Sequence, residues 1–222
     1  MVSEIENLPE QLNAASVFVD ENIQEGRGDN VALLYGDETL THQDVSEMVN
    51  KTGNALKNSG IDLEDRIMLL LLDSPEFVAS FFGAIKIGAV PIPINTMLKA
   101  NDFLYFLNDS GAKTLIVHDI LLPEIEKIKA DLRYLKNIIV VGKADDNYLS
   151  FNKLVDKESS DLEAAETSKD DAAFWLYSSG STGSPKGVVH LHHDMLYCSD
   201  LYARNTLGLN EKDISFSAAK LF

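Results

Sequence analysis

Apolar positions along the chain fall into short runs separated by amphipathic stretches. Val31-Ala-Leu-Leu-Tyr35 and Glu38-Thr39-Leu40 flank Gly36-Asp37, which predicts a β-hairpin. Thr41 stands where a helix N-cap belongs, with Asp44 in the first turn. Val45, Met48, Val49 and Leu56 then recur on one stripe, and Gly60 marks the stop. Residues 66–72 are apolar without alternation, the pattern of a strand covered on both faces. Ser74-Pro75 places a cap before a proline at the first helical position, predicting a helix to about Ile87 and a short strand over 89–94. The alternation continues with a helix over 101–110 and a strand over 113–118. Leu121, Ile125, Ile128, Leu132 and Leu135 mark an amphipathic helix, and 137–141 a buried strand. Further on, 172–177 and 187–192 read as strands, 193–207 as a helix and 214–218 as another strand. Strands alternating with helices predict an α/β protein, a layered αβα arrangement around a largely parallel sheet.

The most hydrophobic window, residues 77–94, carries a single charge, Lys86. Gly83, Gly88, Pro91 and Pro93 interrupt it, so it predicts a buried helix and strand and no membrane span. Over 143–171 acidic residues crowd in and the apolar anchors shrink to Tyr148-Leu149, Phe151 and Leu154-Val155. That stretch reads as a solvated connector. It divides an N-terminal α/β subdomain, 1–142, from a segment over 172–222.

Composition narrows the function. The chain has 222 residues, 19 Lys+Arg against 35 Asp+Glu, and a net charge of −16. Nucleic acids and anionic membranes are polyanions, so neither is an expected partner. Charge is uneven: residues 170–222 hold six acids and four Lys/Arg, so nearly all the excess acid lies before them. A lone Cys198 cannot form an internal disulfide, and Glu4 and Glu6 replace the basic start of a signal peptide. Both point to the cytoplasm.

The least acidic segment also holds the most distinctive chemistry. Ser178-Ser-Gly-Ser-Thr-Gly-Ser-Pro-Lys-Gly187 contains five hydroxyls, three glycines, one lysine and no acid, pinned between two apolar strand-like runs. Glycines let backbone N–H groups approach a ligand, hydroxyls donate to phosphate oxygens, and Lys186 supplies a point charge. A polyphosphate needs those groups. The spacing is not that of a Walker A loop, because Pro185 precedes Lys186 and Gly187 follows it, and no Rossmann fingerprint is present here.

The order of residues 177–187 resembles the phosphate-loop signature of the adenylate-forming superfamily, which includes acyl- and aryl-CoA synthetases, peptide-synthetase adenylation domains and luciferases. Leu40-Thr41, 65–69, 82–91 and Pro93-Ile-Asn95 are also similar to the N-terminal part of these enzymes. Residues 173–177 and 216–222 look most like benzoate-CoA ligases and related aryl-CoA ligases. The resemblance implies the N-terminal portion of the large domain of an acyl-CoA synthetase-like fold. It also implies a two-step reaction in the intact enzyme: a carboxylate attacks the α-phosphate of Mg2+-ATP to give an acyl-adenylate, and the thiol of coenzyme A displaces AMP. By position, Ser178, Ser179, Ser181, Thr182 and Ser184 are implied hydroxyl donors, Gly180, Gly183 and Gly187 the turns, and Lys186 the cation opposite the β- and γ-phosphates. No catalytic residue and no metal ligand is implied for these 222 residues. The acyl pocket, the adenine contacts and the adenylation lysine belong to later parts of such enzymes. The expectation is therefore the front of a longer ligase, inactive alone. The alternatives are another adenylate-forming enzyme, either a medium-chain acyl-CoA synthetase or a carrier-loading adenylation domain, and a non-catalytic nucleotide-binding protein.

Other candidates have plainer readings. His190 and His192 would share a strand face beside His193, but no cysteine pair or acid stands at zinc spacing. Cys198, among apolar neighbours, reads as buried filler. Trp175 and Tyr177 read as core packing.

Overall fold

The structure, a computed structural model, describes residues 7–178 and 183–221. A π-helical turn at Ser16–Asp20 runs into the short helix α1 (Glu21–Gln24). The hairpin of β1 (Val31–Tyr35) and β2 (Glu38–Thr41) follows, with Tyr35 opposite Glu38 and the turn residue Gly36 at φ +57°. Helix α2 (His42–Asn58) opens on a reciprocal cap: the Asp44 N–H donates to Thr41 Oγ1 (3.1 Å) and the Thr41 N–H to Asp44 Oδ2 (2.8 Å).

Five parallel strands form the central sheet: β3 (Arg66–Leu70), β4 (Val90–Pro93), β5 (Thr114–His118), β6 (Asn137–Val141) and β7 (Leu149–Ser150), in the order β4-β3-β5-β6-β7. Helices α3 (Pro75–Lys86), α4 (Ala100–Ser110), α5 (Leu122–Glu126) and α6 (Phe151–Val155) cover it. Alternation along the strands sorts the core into two layers. Ile67, Leu69 and Leu71, with Ile116, Ile139 and Val141, pack with Leu56 of α2, Phe77 and Ala84 of α3 and Phe151 of α6. Met68 and Leu70, with Leu115, Val117 and Val140, pack with Phe103, Phe106 and Leu107 of α4 and Ile125 of α5. The uninterrupted apolar run at 67–72 thus feeds both layers at once.

Beyond β4, strand β8 (Ala172–Ser178) lies against the sheet edge and pairs antiparallel with β9 (Lys186–Leu191). Trp175 and Tyr177 join the α4 layer, whereas Phe174 turns to Phe81 of α3, with ring centroids 5.4 Å apart. Helix α7 (His192–Tyr197) and a π-helical segment, Cys198–Arg204, follow. No helix among the described residues is long and apolar enough to cross a membrane.

Two predicted elements differ. The helix expected from Leu121 to Leu135 is broken into a 3-10 turn at Asp119–Leu121, α5, and a second 3-10 turn at Lys129–Asp131, after which Leu132 is extended. Turns of either kind keep residues three or four apart on one side, so Ile125 and Ile128 are still buried. The strand expected over 214–218 does not form: Ile214 and Phe216 are 82% and 93% exposed, and the segment pairs with no strand among the described residues. In the acidic stretch, Phe151 and Leu162 are buried, and Asn50, Asn54 and Asn58 of α2 donate to Ser160 O, to Ser159 and Asp161 O, and to the Glu158 carboxylate.

Candidate functional site

The hairpin register places Trp175 opposite Val189, Tyr177 opposite Gly187 and Ser178 opposite Lys186. The predicted loop is therefore the tip of the β8–β9 hairpin. Ser178, Gly183, Ser184, Lys186 and Gly187 are all exposed there, while Ser179, Gly180, Ser181 and Thr182 lie outside the described residues. Lys186 is exposed, and no ion pair links it to another of the described residues. Gly183 sits at φ +155°, a backbone that side chains rarely adopt, with open space around it. At Gly187 a Cβ would come within 3.2 Å of the Trp175 ring, so this strand position is closed to a larger residue unless the indole shifts.

Helix α4 holds both arms of this tip. Tyr105 and Asp109 are one turn apart, and so face the same way. The Tyr105 hydroxyl donates to Pro185 O (2.8 Å), and Asp109 Oδ2 accepts from the Tyr177 hydroxyl (2.7 Å). The Tyr177 ring packs on Phe106 with centroids 4.5 Å apart. Burial, and then the bond to Asp109, push the Tyr177 phenol far above its ordinary pKa, so it stays a neutral donor. Among the described residues, the two arms of the hairpin thus present the Ser178 and Ser184 hydroxyls, the Lys186 ammonium and the Gly183 and Gly187 backbone at an exposed end. Sequence reading missed Tyr105 and Asp109. Their signal is a polar pair at i, i+4 beside the apolar positions Phe103, Phe106 and Leu107 of the same helix.

The three histidines do not converge. β9 ends at Leu191, so His192 starts α7 instead of sharing a strand face with His190. His192 is buried, and its Nδ1 accepts the Ala14 N–H at 3.0 Å. His190 stacks on Phe174 (centroids 4.6 Å apart), with Nδ1 3.4 Å from Asp194 Oδ2. His193 Nδ1 lies 3.1 Å from Asp170 Oδ1 and its Nε2 3.1 Å from Asp194 Oδ1. No group of three His, Cys, Asp or Glu among the described residues is arranged to hold a metal ion. Cys198 is exposed, not buried, on the π-helical segment. Lys220 Nζ lies 3.3 Å from Asp73 Oδ2.

Comparison with known proteins places this architecture. The family model described as AMP-binding enzyme matches residues 19–222, and the chain belongs to that family. It is 41% identical over 216 residues to the benzoate–CoA ligase of Thauera aromatica, a match covering 97% of this chain and 41% of that protein. It is 40% identical to the 4-hydroxybenzoate–CoA/benzoate–CoA ligase of Rhodopseudomonas palustris, covering 95% and 39%. Among solved structures it resembles the anthranilate CoA ligase AuaEII in complex with anthranoyl-AMP, with a TM-score of 0.94 and 41% identity over 98% of this chain and 42% of that one. The chain thus spans about two fifths of the length of the relatives it matches.

Proposed function

We propose that these residues form the N-terminal part of an ATP-dependent, AMP-forming carboxylate–CoA ligase of the benzoate or aryl type, and that the β8–β9 tip holds the β- and γ-phosphates of ATP. The observation that carries this reading is the contiguous loop, residues 177–187, set on a braced hairpin tip. Ser178, Ser179, Ser181, Thr182 and Ser184 donate hydroxyls, Gly180, Gly183 and Gly187 shape the turn, and Lys186 offsets phosphate charge. Positioning and electrostatic stabilisation are their whole contribution. Mg2+ enters this reading as the ion carried by ATP, and none of these residues is assigned as its ligand. Coenzyme A and an aromatic carboxylate are the remaining co-substrates. The lone thiol Cys198 accords with a cytoplasmic location.

Titration calorimetry with Mg-ATP and with pyrophosphate tests the loop. Losing one charge-assisted contact costs about 1.5–3 kcal/mol, so Lys186→Ala is expected to weaken both ligands at least tenfold. Equal affinity in the two proteins rejects the assignment. The 222 residues alone are expected to give no benzoate-dependent pyrophosphate exchange, because the acyl pocket and adenylation lysine lie in later parts of such enzymes. Exchange by this chain would overturn that division of labour.

A further inference from the structure

The far end of the same hairpin carries a second device. Residues 10–14 run beside 167–171. The Leu12 N–H donates to Thr167 O (2.9 Å), Thr167 Oγ1 to Leu12 O (2.7 Å) and the Lys169 N–H to Glu10 O (2.9 Å), while Glu10 and Lys169 form an ion pair. The Asn13 side chain donates to Ile85 O at the end of α3 (3.0 Å). The β8–β9 hairpin joins this strap where α7 begins, through the His193 N–H, which donates to Lys169 O (3.1 Å), and through a buried join at His192. The Ala14 N–H donates to His192 Nδ1, and the His192 N–H donates to Asp171 O (3.1 Å), just before β8. Ala14, Ala15 and Ile85 form the apolar bed of the join, with Met195 of α7 packed on it.

We infer that His192 is a positioning residue: it pins the base of the β8–β9 hairpin to the N-terminal strap and so fixes the direction in which β9 presents Lys186. The loop is thus held twice, by α4 near its tip and by His192 at its base, and the base depends on a residue 178 positions away in sequence. The bond requires a neutral imidazole protonated on Nε2, because only an unprotonated Nδ1 accepts. Asp171 faces the ring from the strap side, Asp170 and Asp194 engage the neighbouring His193, and the Glu10–Lys169 pair closes the strap. Burial disfavours the imidazolium more strongly than Asp171 favours it, so the ring stays neutral near pH 7. Acid converts the acceptor into a donor facing another donor and opens the join.

The inference rests on the phosphate reading for its consequence but not for its test. In the whole chain, hydrogen exchange of the Ala14 amide and of residues 188–191 reports the join directly. His192→Leu removes the acceptor, whereas His192→Asn keeps an oxygen near the Nδ1 position. The expected result is at least tenfold faster exchange at these amides, after correction for intrinsic rates, in His192→Leu. His192→Asn should stay within threefold of the parent at pH 7 and lose the parent's acceleration between pH 6.5 and 4. Mg-pyrophosphate affinity is expected to fall about fivefold in His192→Leu and to return in His192→Asn. Unchanged exchange in a folded His192→Leu, or equal damage from both substitutions, overturns the inference. Absence of pyrophosphate binding in the parent rejects the phosphate reading instead, and leaves the exchange result to judge the join.

Discussion

Lys86 is among the largest side chains this protein buries completely, at 2% exposure. Its ammonium donates to Asp20 Oδ1 and Asn50 Oδ1, both at 2.6 Å, joining α3 to the N-terminal turn and to α2. A buried charge with partners is close to neutral in stability, but a partner stripped of its charge is costly. Lys86→Met is therefore expected to destabilise by about 3 kcal/mol, read as a lower urea midpoint at constant slope. Adding Asp20→Leu to Lys86→Met should recover part of that loss, and a double variant worse than the single would refute the pairing argument. Tyr105 is the milder residue-scale case. Tyr105→Phe removes one hydroxyl from a neutral bond, worth about 1 kcal/mol, and leaves the ring in the α4 layer. The expected outcome is a melting temperature about 2–4 °C lower, with two- to fivefold weaker Mg-pyrophosphate binding, since the bond lost is the one that holds Pro185, next to Lys186, against α4.

At the scale of elements, α2 and α3 meet through glycines. A Cβ at Gly83 would lie 3.0 Å from Val49 O and 3.1 Å from the Gly53 nitrogen, both backbone atoms that cannot swing aside. Gly83→Ala must push the helices apart at the layer containing Leu56, Phe77 and Ala84. Overpacking of this kind costs about 1–3 kcal/mol, against which the better helix propensity of alanine returns less than 1 kcal/mol. The net expectation is a melting temperature several degrees lower, and an unchanged or higher value would contradict the contact. The helices themselves were readable from sequence because their signals are local: Thr41 with Asp44, Ser74 with Pro75, and a stripe of the right period. The strands of the central sheet were readable because the run at 66–72 needs cover on both faces. What stayed hidden was relational. A stripe at Leu121, Ile125, Ile128, Leu132 and Leu135 suits one helix or a chain of turns equally. Residues 214–218 alternate like a strand, but a strand exists only beside a partner. Loop residues 178–187 announced their chemistry through composition and order, whereas Tyr105, Asp109 and Ala14 reach the hairpin only through the fold and leave no trace near it in sequence.

Across the whole molecule, the balance between charge and the buried histidine decides how stability depends on pH. With a net charge of −16, the chain repels itself at neutral pH, and protonating carboxylates relieves that repulsion. Carboxylates take up protons mainly below pH 5, and Asp44, Asp119 and Glu124 are held lower still by hydrogen bonds from Thr41, Lys143 and Lys127. Between pH 7 and 5 the shifted histidines His192 and His42 act against the fold, while burial raises the Glu21 carboxyl, whose protonation acts the other way. Burial lowers His192 from 6.5 to about 4, and His42 shifts in the same direction through burial and the nearby Arg27. For a depressed histidine the unfolded chain binds the proton first, so its stabilising effect is complete above about pH 6.5 and is lost as pH falls toward 4. For His192 that loss amounts to about 2 kcal/mol between pH 7 and pH 5. Urea unfolding of the parent is expected to show this decline, and His192→Asn, which has nothing to titrate at that position, should flatten most of it. Salt separates the two effects: exposed charges are screened over about 10 Å at 0.1 M, so added salt should raise stability at pH 7 while leaving the difference between parent and His192→Asn intact. A decline that survives in His192→Asn would assign the acid sensitivity to groups other than the buried join.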